Sequence, residues 1–156
     1  MKVNYVEYER LDLKLSEPYT IAYETVHKVT NFILKLHCDN GMIGYGCSAP
    51  DLVVTSESPK EIEEVINSII IPLLTGSDPF TYAKLLGEMS FLMNSSALAM
   101  VDIALHDLIS KKAGVPLYKY LGGFRDKIVT SVTIGILPLD ESLKKASILL
   151  IEGLVS

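Results

Sequence analysis

The segment Asn31–Cys47 constrains the fold more than any other part of the chain. Its first half, NFILKLHC, is rich in residues that favour a pleated, half-buried strand. The turn residues Asp39–Gly41 come next, and Asn and Gly tolerate the positive φ angles of tight turns. Met42–Cys47 then returns as a second strand. The segment therefore predicts a β-hairpin.

A further strand is predicted ahead of the hairpin. The run Val3–Leu15 alternates in part between apolar and polar residues, as a half-buried strand does. Three such strands in succession predict an antiparallel meander. Ser16–Thr30, between the first two strands, is expected to be a loop.

Helix signals follow the strands. Ser58 and Pro59 are typical of a helix N-terminus, and apolar residues recur at helical spacing as far as Ile70. A second helix is predicted over Asp78–Met93, where an Asp-Pro pair opens the segment. Strands followed by helices make the first part of the chain an α+β unit.

A third, largely buried helix is predicted over Ala97–Ala113. Ser95 or Ser96 can cap its N-terminus, and Gly114 can end it in the left-handed conformation that glycine adopts readily. Val115–Leu121 is expected to form a short helical turn after it.

The pattern changes after residue 125. Ile128–Ile136 is rich in β-branched residues and predicts a strand, and Leu139–Ile151 predicts a helix. A strand followed by a helix, after a completed α+β unit, is typical of the first step of a parallel α/β domain. We therefore expect a domain boundary near Phe124–Ile128, with one domain over residues 1–125 and another starting at 126.

Composition excludes several classes of partner. The formal net charge is −5 and no basic tract is present, so neither nucleic acid nor an anionic membrane surface is an expected partner. No apolar run reaches the roughly 18 residues that a membrane span needs. Cys38 and Cys47 lack the spacing of a metal site, and we expect reduced thiols and a cytoplasmic location.

Several motifs occur in a suggestive order. GMIGYG at 41–46 has its glycines in the order G-x-x-G-x-G, which is the wrong spacing for a dinucleotide fingerprint, and no helix follows it. The other motifs are Pro50, Thr55 with Glu57-Ser58, SALAMVDIALHDL at 96–108, PLYKYLGG at 116–123 and TIGI at 133–136. In this order they resemble the enolase superfamily, in its mandelate racemase and muconate lactonizing branch, and most closely the dipeptide epimerases of that branch.

The resemblance implies a fold and a chemistry. It implies an N-terminal capping domain, made of a three-stranded antiparallel sheet and a helical bundle, over residues 1–125. Residues 126–156 would be the first βα unit of a (β/α)7β barrel, which is truncated in this chain. Mg²⁺ in the parent enzyme would stabilise an enediolate while lysine bases move a proton. The first lysine pair would follow Gly153 by a few residues, so the chain to Ser156 is expected to be inactive alone and to bind no cofactor.

The resemblance also implies where a dipeptide substrate would bind. We predict no catalytic and no metal-ligating residue within the chain. Two cap loops, Ser16–Thr30 and Ala49–Ser58, would cover the barrel mouth. Glu24, in the first of them, would disfavour an acidic substrate side chain by like-charge repulsion and favour a cationic or neutral dipeptide. The predicted substrate-binding residues are Tyr19, Ile21, Tyr23, Glu24, Leu52, Val54 and Thr133.

Several histidine and acidic residues have more ordinary interpretations. His106 and Asp107 are neighbours on a helix and point in different directions, so we expect a packed or hydrogen-bonded histidine rather than a catalytic dyad. Asp102 is expected to serve the helix surface, and His37 to be structural. His27 remains a candidate for facing the substrate.

Two other functions remain open. A muconate cycloisomerase or an o-succinylbenzoate synthase belongs to the same branch and would share the cap. A non-catalytic cap or interaction module is the alternative from a different class. In that case the apolar strand Ile128–Ile136 would lack neighbours, and we expect a homo-oligomer or a swapped assembly.

Overall fold

A three-stranded antiparallel sheet begins the chain. The computed structural model, which describes residues 1–22 and 24–151, contains strands β1 (Val3–Thr20), β2 (Thr25–Cys38) and β3 (Ile43–Ser48) in the order β1-β2-β3. β2 and β3 pair antiparallel, with Leu36 opposite Gly44. Gly41 adopts a φ of 81° in the turn between them. The predicted hairpin and meander are thus confirmed.

The first two strands are longer than the sequence predicts. The expected loop Ser16–Thr30 is wrong, because β1 continues to Thr20 and β2 already starts at Thr25. The segment contains Thr, Val and Tyr, which favour extended backbone, and the two strands supply each other's backbone hydrogen bonds. Only residues 21–24 are left as a connection, and Tyr23 lies outside the described residues.

Helices occupy most of the chain after the sheet. They are α1 (Pro59–Val65), a π-helical stretch (Ile66–Ile70), α2 (Ile71–Leu74), a 3₁₀ turn (Pro79–Thr81), α3 (Tyr82–Glu88), α4 (Ser95–Ala113), α5 (Leu117–Tyr120) and α6 (Leu139–Ile151). The predicted start at Ser58 is confirmed, because its hydroxyl accepts from the Glu61 amide while the Glu61 carboxylate accepts from the Ser58 amide. Gly114 ends α4 with a φ of 69°, also as predicted.

Two helix boundaries differ from the predictions. The second helix ends at Glu88 rather than near Met93, after a 3₁₀ turn that Asp78 caps. Neither Ser95 nor Ser96 is the N-cap of α4, since both lie inside the helix. The amide of Ser96 instead donates to a carboxylate from a distant part of the chain, which local sequence patterns do not reveal.

The hydrophobic core lies between one face of the sheet and the helices. Alternate residues of β2, from Phe32 to Cys38, are buried, as the period of a strand requires. In α4 the buried face comprises Ala97, Met100, Val101, Ala104, Leu105, Leu108 and Ile109. Ile62, Ile66, Ile70 and Leu74 continue this core along the preceding helices.

Glycines in β3 allow α4 to lie directly against the sheet. A β-carbon on Gly46 would stand 1.9 Å from the carbonyl oxygen of Met100, and one on Gly44 would stand 2.6 Å from that of Ala104. Neither contact is sterically possible, so these two positions require glycine. The glycine-dense segment therefore serves helix packing.

The chain divides into two compact units. Unit 1 comprises Met1–Asp12 and Thr30–Phe124, and unit 2 comprises Leu13–Val29 and Arg125–Ser156. Unit 2 contains the distal half of the β1–β2 hairpin as well as α6. Among the residues of unit 2 that the structure describes, no side chain is fully buried.

The predicted strand Ile128–Ile136 is wrong for the described structure. Its residues belong to neither a helix nor a strand. The backbone amide of Ile136 donates to the carbonyl of Thr20 at 2.8 Å, but a strand needs a continuous ladder with a neighbour. Helix α6 is confirmed over Leu139–Ile151, and Gly153 lies outside the described residues.

The structure also bears on the predictions about the cysteine thiols and about membrane-spanning helices. Cys38 and Cys47 are both free thiols, as predicted. Burial raises the pKa of the Cys38 thiol. Across the described ranges, no helix combines the length and the apolar character that crossing a bilayer requires.

Candidate functional site

A cavity within unit 2 brings two predicted site residues together. It has a volume of about 330 Å³ and is lined by Glu17, Pro18, Tyr19, Thr133, Gly135 and Lys145. Tyr19, with 42% of its surface exposed, thus shares a cavity with Thr133, although more than a hundred residues of sequence separate them. The cavity offers hydroxyl groups and one pair of opposite charges to a small polar ligand.

An ion pair is part of the cavity lining. The Lys145 ammonium donates a hydrogen bond of 2.5 Å to the Glu17 carboxylate. This hydrogen bond, together with the positive charge of Lys145, lowers the pKa of Glu17. Sequence analysis missed both residues, because a Lys on a helix surface and a Glu in an exposed strand carry no signal of their own.

The hairpin tip has a defined geometry. The hydroxyls of Thr20 and Thr25 lie 2.9 Å apart across the base of the tip. The amide of Ile21 donates to the carbonyl of Glu24 at 2.9 Å, which closes the turn. Ile21 and Glu24 are both half-buried, and the predicted site residue Tyr23 lies outside the described residues. Glu24 is therefore fixed through its backbone at the tip.

Leu52 and Val54 project from a loop in unit 1. Their exposed fractions are 67% and 63%. The Asp51 carboxylate accepts from the amides of Val53 and Val54 at 2.8 and 2.9 Å, and the Asp51 carbonyl accepts from the Thr55 amide at 2.8 Å. A single Asp therefore holds the loop and leaves apolar side chains in solvent. The loop predicted over Ala49–Ser58 is thus confirmed as a loop, since its residues belong to neither a helix nor a strand.

A buried carboxylate ties the end of the loop to α4. Glu57 is 2% exposed, and one of its carboxylate oxygens accepts from the Ser96 amide at 3.0 Å. The Ser96 hydroxyl also lies 2.9 Å from that of Ser48 in β3. A carboxylate at a helix N-terminus is favourable because the helix dipole is positive there. Glu57 therefore acts as the remote cap of α4.

The histidines have structural partners. His106 Nδ1 lies 2.9 Å from the carboxylate of Asp102, one turn earlier on α4. Asp107 instead accepts from the Tyr45 amide at 2.9 Å and from the Lys111 ammonium at 2.6 Å. The expectation of a hydrogen-bonded His106 is confirmed, and its partner is Asp102 rather than Asp107. His37 stacks on the Tyr5 ring at 4.1 Å and is structural, as predicted.

The predicted substrate-binding residues fall in both units. Tyr19, Ile21, Glu24 and Thr133 belong to unit 2, and Leu52 and Val54 belong to unit 1. Within unit 2, the structure brings Tyr19 and Thr133 into one cavity and places Ile21 and Glu24 in the adjoining turn. His27 is exposed in β2.

Comparison with known proteins identifies the family. The family described as "Mandelate racemase / muconate lactonizing enzyme, N-terminal domain" matches residues 6–122. An L-Lys-D/L-Arg epimerase from Desulforapulum autotrophicum is 40% identical over 148 residues, which cover 94% of this chain and 42% of that relative. The similarity to the enolase superfamily and its dipeptide epimerases is thus confirmed.

Solved structures agree with the sequence comparison. The substrate-liganded L-Ala-D/L-Glu epimerase from Bacillus subtilis has a TM-score of 0.92 and 32% identity, and the match covers 98% of this chain and 43% of that one. The dipeptide epimerase from Methylococcus capsulatus, complexed with Mg and the dipeptide L-Arg-D-Lys, also has a TM-score of 0.92 and 32% identity, over 98% of this chain and 44% of that one. The chain spans less than half the length of these relatives.

Proposed function

The chain belongs to the mandelate racemase / muconate lactonizing enzyme family, and we propose that it is the N-terminal part of a dipeptide epimerase. In the proposed reaction, one base removes the proton on the α-carbon of a dipeptide residue, and a second base returns a proton to the opposite face. One C–H bond breaks and one forms, so no other reactant is consumed. Residues 1–125 would form the cap, and residues 126–156 the first βα unit of the barrel.

The arrangement around the hairpin tip supports this proposal more than any other observation. The cavity that joins Tyr19 and Thr133 is large enough for a small polar ligand, and the turn with Ile21 and Glu24 adjoins it. Within unit 1 itself, the loop held by Asp51 leaves the apolar side chains of Leu52 and Val54 exposed. Within the proposal, the unit 2 residues of this cavity and turn bind and orient a substrate, and none of them moves a proton.

The described residues do not provide a magnesium site. In residues 1–22 and 24–151, no group of three His, Cys, Asp or Glu side chains is arranged to hold a metal ion. The Methylococcus relative carries Mg, and in our proposal the metal ligands and both bases belong to other parts of the enzyme. The role of this chain in the proposed reaction is therefore substrate selection.

We propose that the preferred substrate is a dipeptide with a cationic or neutral side chain. Glu24 places a negative charge in the half-buried turn at the hairpin tip. The backbone carbonyl of Glu24 accepts a hydrogen bond from the Ile21 amide, which fixes the backbone there. A cationic group gains a charge-assisted interaction there, and an acidic group is repelled. The relative from Desulforapulum is named for Lys and Arg, whereas the relative from Bacillus is named for Ala and Glu.

Epimerisation by the full-length protein tests both parts of the proposal. With Mg²⁺ present, we expect turnover of L-Ala-L-Lys with a higher kcat/KM than L-Ala-L-Glu. In the Glu24→Gln variant the preference is expected to fall about tenfold, as the loss of one charge-assisted hydrogen bond implies. Glu88→Gln is the matched control, because Glu88 is an exposed carboxylate of α3 in unit 1 that forms an ion pair with Lys84 one turn earlier.

Different failures have different meanings. The full-length protein could turn over no dipeptide and instead act on muconate or on the precursor of o-succinylbenzoate. That result would replace the epimerase proposal by a muconate cycloisomerase or an o-succinylbenzoate synthase. Turnover with a preference for Ala-Glu that Glu24→Gln leaves unchanged would refute the role of Glu24 alone.

We also propose a cytoplasmic protein that forms a homo-oligomer. Two free thiols agree with a reducing compartment. In the 156-residue chain taken alone, large apolar side chains of unit 2, including Val129, Leu139 and Ile151, are exposed and favour association into a homo-oligomer or a swapped assembly. Light scattering of the purified protein tests the oligomer, and a monodisperse monomer would contradict it.

A further inference from the structure

The distal half of the β1–β2 hairpin belongs to the same compact unit as the segment that follows Phe124. Leu13–Val29 and Arg125–Ser156 together form unit 2. None of the described side chains of this unit is fully buried, so hydrophobic burial alone does not fix the hairpin there. Specific contacts between the two segments therefore contribute to its position.

Gly135 leaves almost no room for a side chain beside Tyr19 and Thr20. A β-carbon built at Gly135 would stand 3.2 Å from the amide nitrogen of Thr20, 3.2 Å from its carbonyl oxygen and 3.2 Å from the β-carbon of Tyr19. These distances are shorter than ordinary van der Waals contacts, and two of the three atoms are backbone atoms. The next residue, Ile136, donates its amide to the same carbonyl of Thr20 at 2.8 Å.

Thr20 cannot move away without disturbing the turn. Its hydroxyl lies 2.9 Å from that of Thr25, and its carbonyl is the acceptor for Ile136. The residue after it, Ile21, closes the turn onto Glu24. Any displacement of Thr20 is therefore passed to the position of Glu24.

We propose that Gly135 is a positioning residue for the substrate-selecting hairpin, because the missing side chain lets the segment 133–136 dock against Tyr19 and Thr20. The inference rests on the proposed function in assigning substrate selection to the hairpin. Gly135 touches no substrate in this account. It sets the place of Tyr19 in the cavity and of Glu24 at the tip.

The Gly135→Ala variant of the full-length protein tests the proposal. The added methyl group is expected to shift Thr20, so KM for the preferred dipeptide rises about tenfold while kcat stays within about twofold, as loss of uniform binding implies. A residue that only stabilised the fold would change the amount of active enzyme instead. Gly87→Ala is the matched control, since a β-carbon at Gly87 meets no atom within 4 Å, and KM should not change.

A second readout does not depend on turnover. Hydrogen exchange at the Ile136 amide should accelerate about tenfold in Gly135→Ala, because its bond to Thr20 lengthens or opens. If Gly135→Ala does not fold, Ile136→Pro removes the amide donor without adding an atom at Gly135. The same rise in KM is then expected.

The outcomes separate the two proposals. If the wild-type protein epimerises no dipeptide, the proposed function fails, and the exchange rate of Ile136 alone decides whether Gly135 positions the hairpin. If the wild type is active and Gly135→Ala leaves KM unchanged, the positioning role is refuted. A faster exchange together with a raised KM and an unchanged kcat supports it.

Discussion

Unit 1 and unit 2 are stabilised in different ways. Unit 1 contains every fully buried side chain among the described residues, and β3 and α4 approach each other so closely that only glycine fits between them. Among the described residues of unit 2 no side chain is fully buried, and the Glu17–Lys145 ion pair, hydrogen bonds and the close approach of Gly135 to Thr20 contribute to its packing. The residues we assign to substrate selection lie largely in the unit with the weaker packing.

The difference suggests a division of labour. A dense core tolerates few substitutions, because a change in side-chain volume of even one methylene group lowers the stability of the fold. An exposed hairpin tip and an exposed loop tolerate many substitutions, and binding residues are commonly found on such segments. We infer that the scaffold of unit 1 constrains the fold, while the hairpin tip of unit 2 can vary with the substrate.

The largest expected effect tests the contact between β3 and α4. Gly46→Ala should destabilise the protein by about 4 kcal/mol or more, because the new methyl group would overlap the Met100 carbonyl at 1.9 Å. Urea denaturation followed by circular dichroism measures the loss. Gly87→Ala, in the exposed face of α3, should instead stabilise by up to about 1 kcal/mol through helix propensity. Equal effects of the two variants would contradict the proposed packing.

The next effect compares the same substitution in the two units. Leu105→Ala removes a fully buried side chain from unit 1 and should cost about 3 kcal/mol of unfolding free energy. Leu143 in α6 is 58% exposed, and Leu143→Ala should cost less than about 0.5 kcal/mol. Denaturant midpoints of the two variants provide the measurement. A cost at Leu143 as large as that at Leu105 would mean that unit 2 has a core of its own.

A smaller effect is expected in the loop that carries Leu52 and Val54. Ser56 has a φ of 58°, which costs a residue with a β-carbon about 1 kcal/mol. Ser56→Gly should therefore raise the unfolding free energy by about 0.5 kcal/mol, after the greater entropy of glycine in the unfolded chain is subtracted. Ser68→Gly, inside the π-helical stretch, is the control and should destabilise. A loss of stability in Ser56→Gly would be evidence against the strain.

The smallest effect concerns pH. Hydrogen bonds from Ser58 lower the pKa of Glu61 in unit 1, and the bond from Lys145 lowers the pKa of Glu17 in unit 2. A lowered pKa contributes stability above the ordinary value of 4.5, and this contribution is lost as the pH falls through the lowered values. Glu61→Gln should therefore flatten the acid limb of the stability curve, and Glu17→Gln should flatten it less. The reverse order would show that unit 2 controls global unfolding.

Sequence patterns predict the parts of the fold that depend on local signals. The hairpin at Asp39–Gly41, the cap at Ser58 and the glycine end of α4 at Gly114 are all confirmed, because each depends on a few adjacent residues. The remote cap from Glu57 to Ser96 could not be predicted, since it joins residues that come together only in the folded chain.

The same reason explains the mixed result for the candidate site. The family resemblance named Tyr19 and Thr133 as separate candidates for substrate binding, and that role stays a prediction. The cavity that both residues line, the ion pair between Glu17 and Lys145 and the close approach of Gly135 to Thr20 depend on tertiary contacts. The predicted strand Ile128–Ile136 failed because β-branched composition shows a preference for extended backbone and does not supply a partner strand.

Hydrogen exchange of the 156-residue chain, resolved by peptide, tests the contrast between the units most directly. We predict slow exchange in peptides from β2, β3 and α4, and exchange faster by about two orders of magnitude or more in peptides from α6 and from the hairpin tip, where opening requires little loss of buried surface. Equal protection of α6 and α4 would contradict the account, because unit 2 would then have a stability that its described packing does not explain.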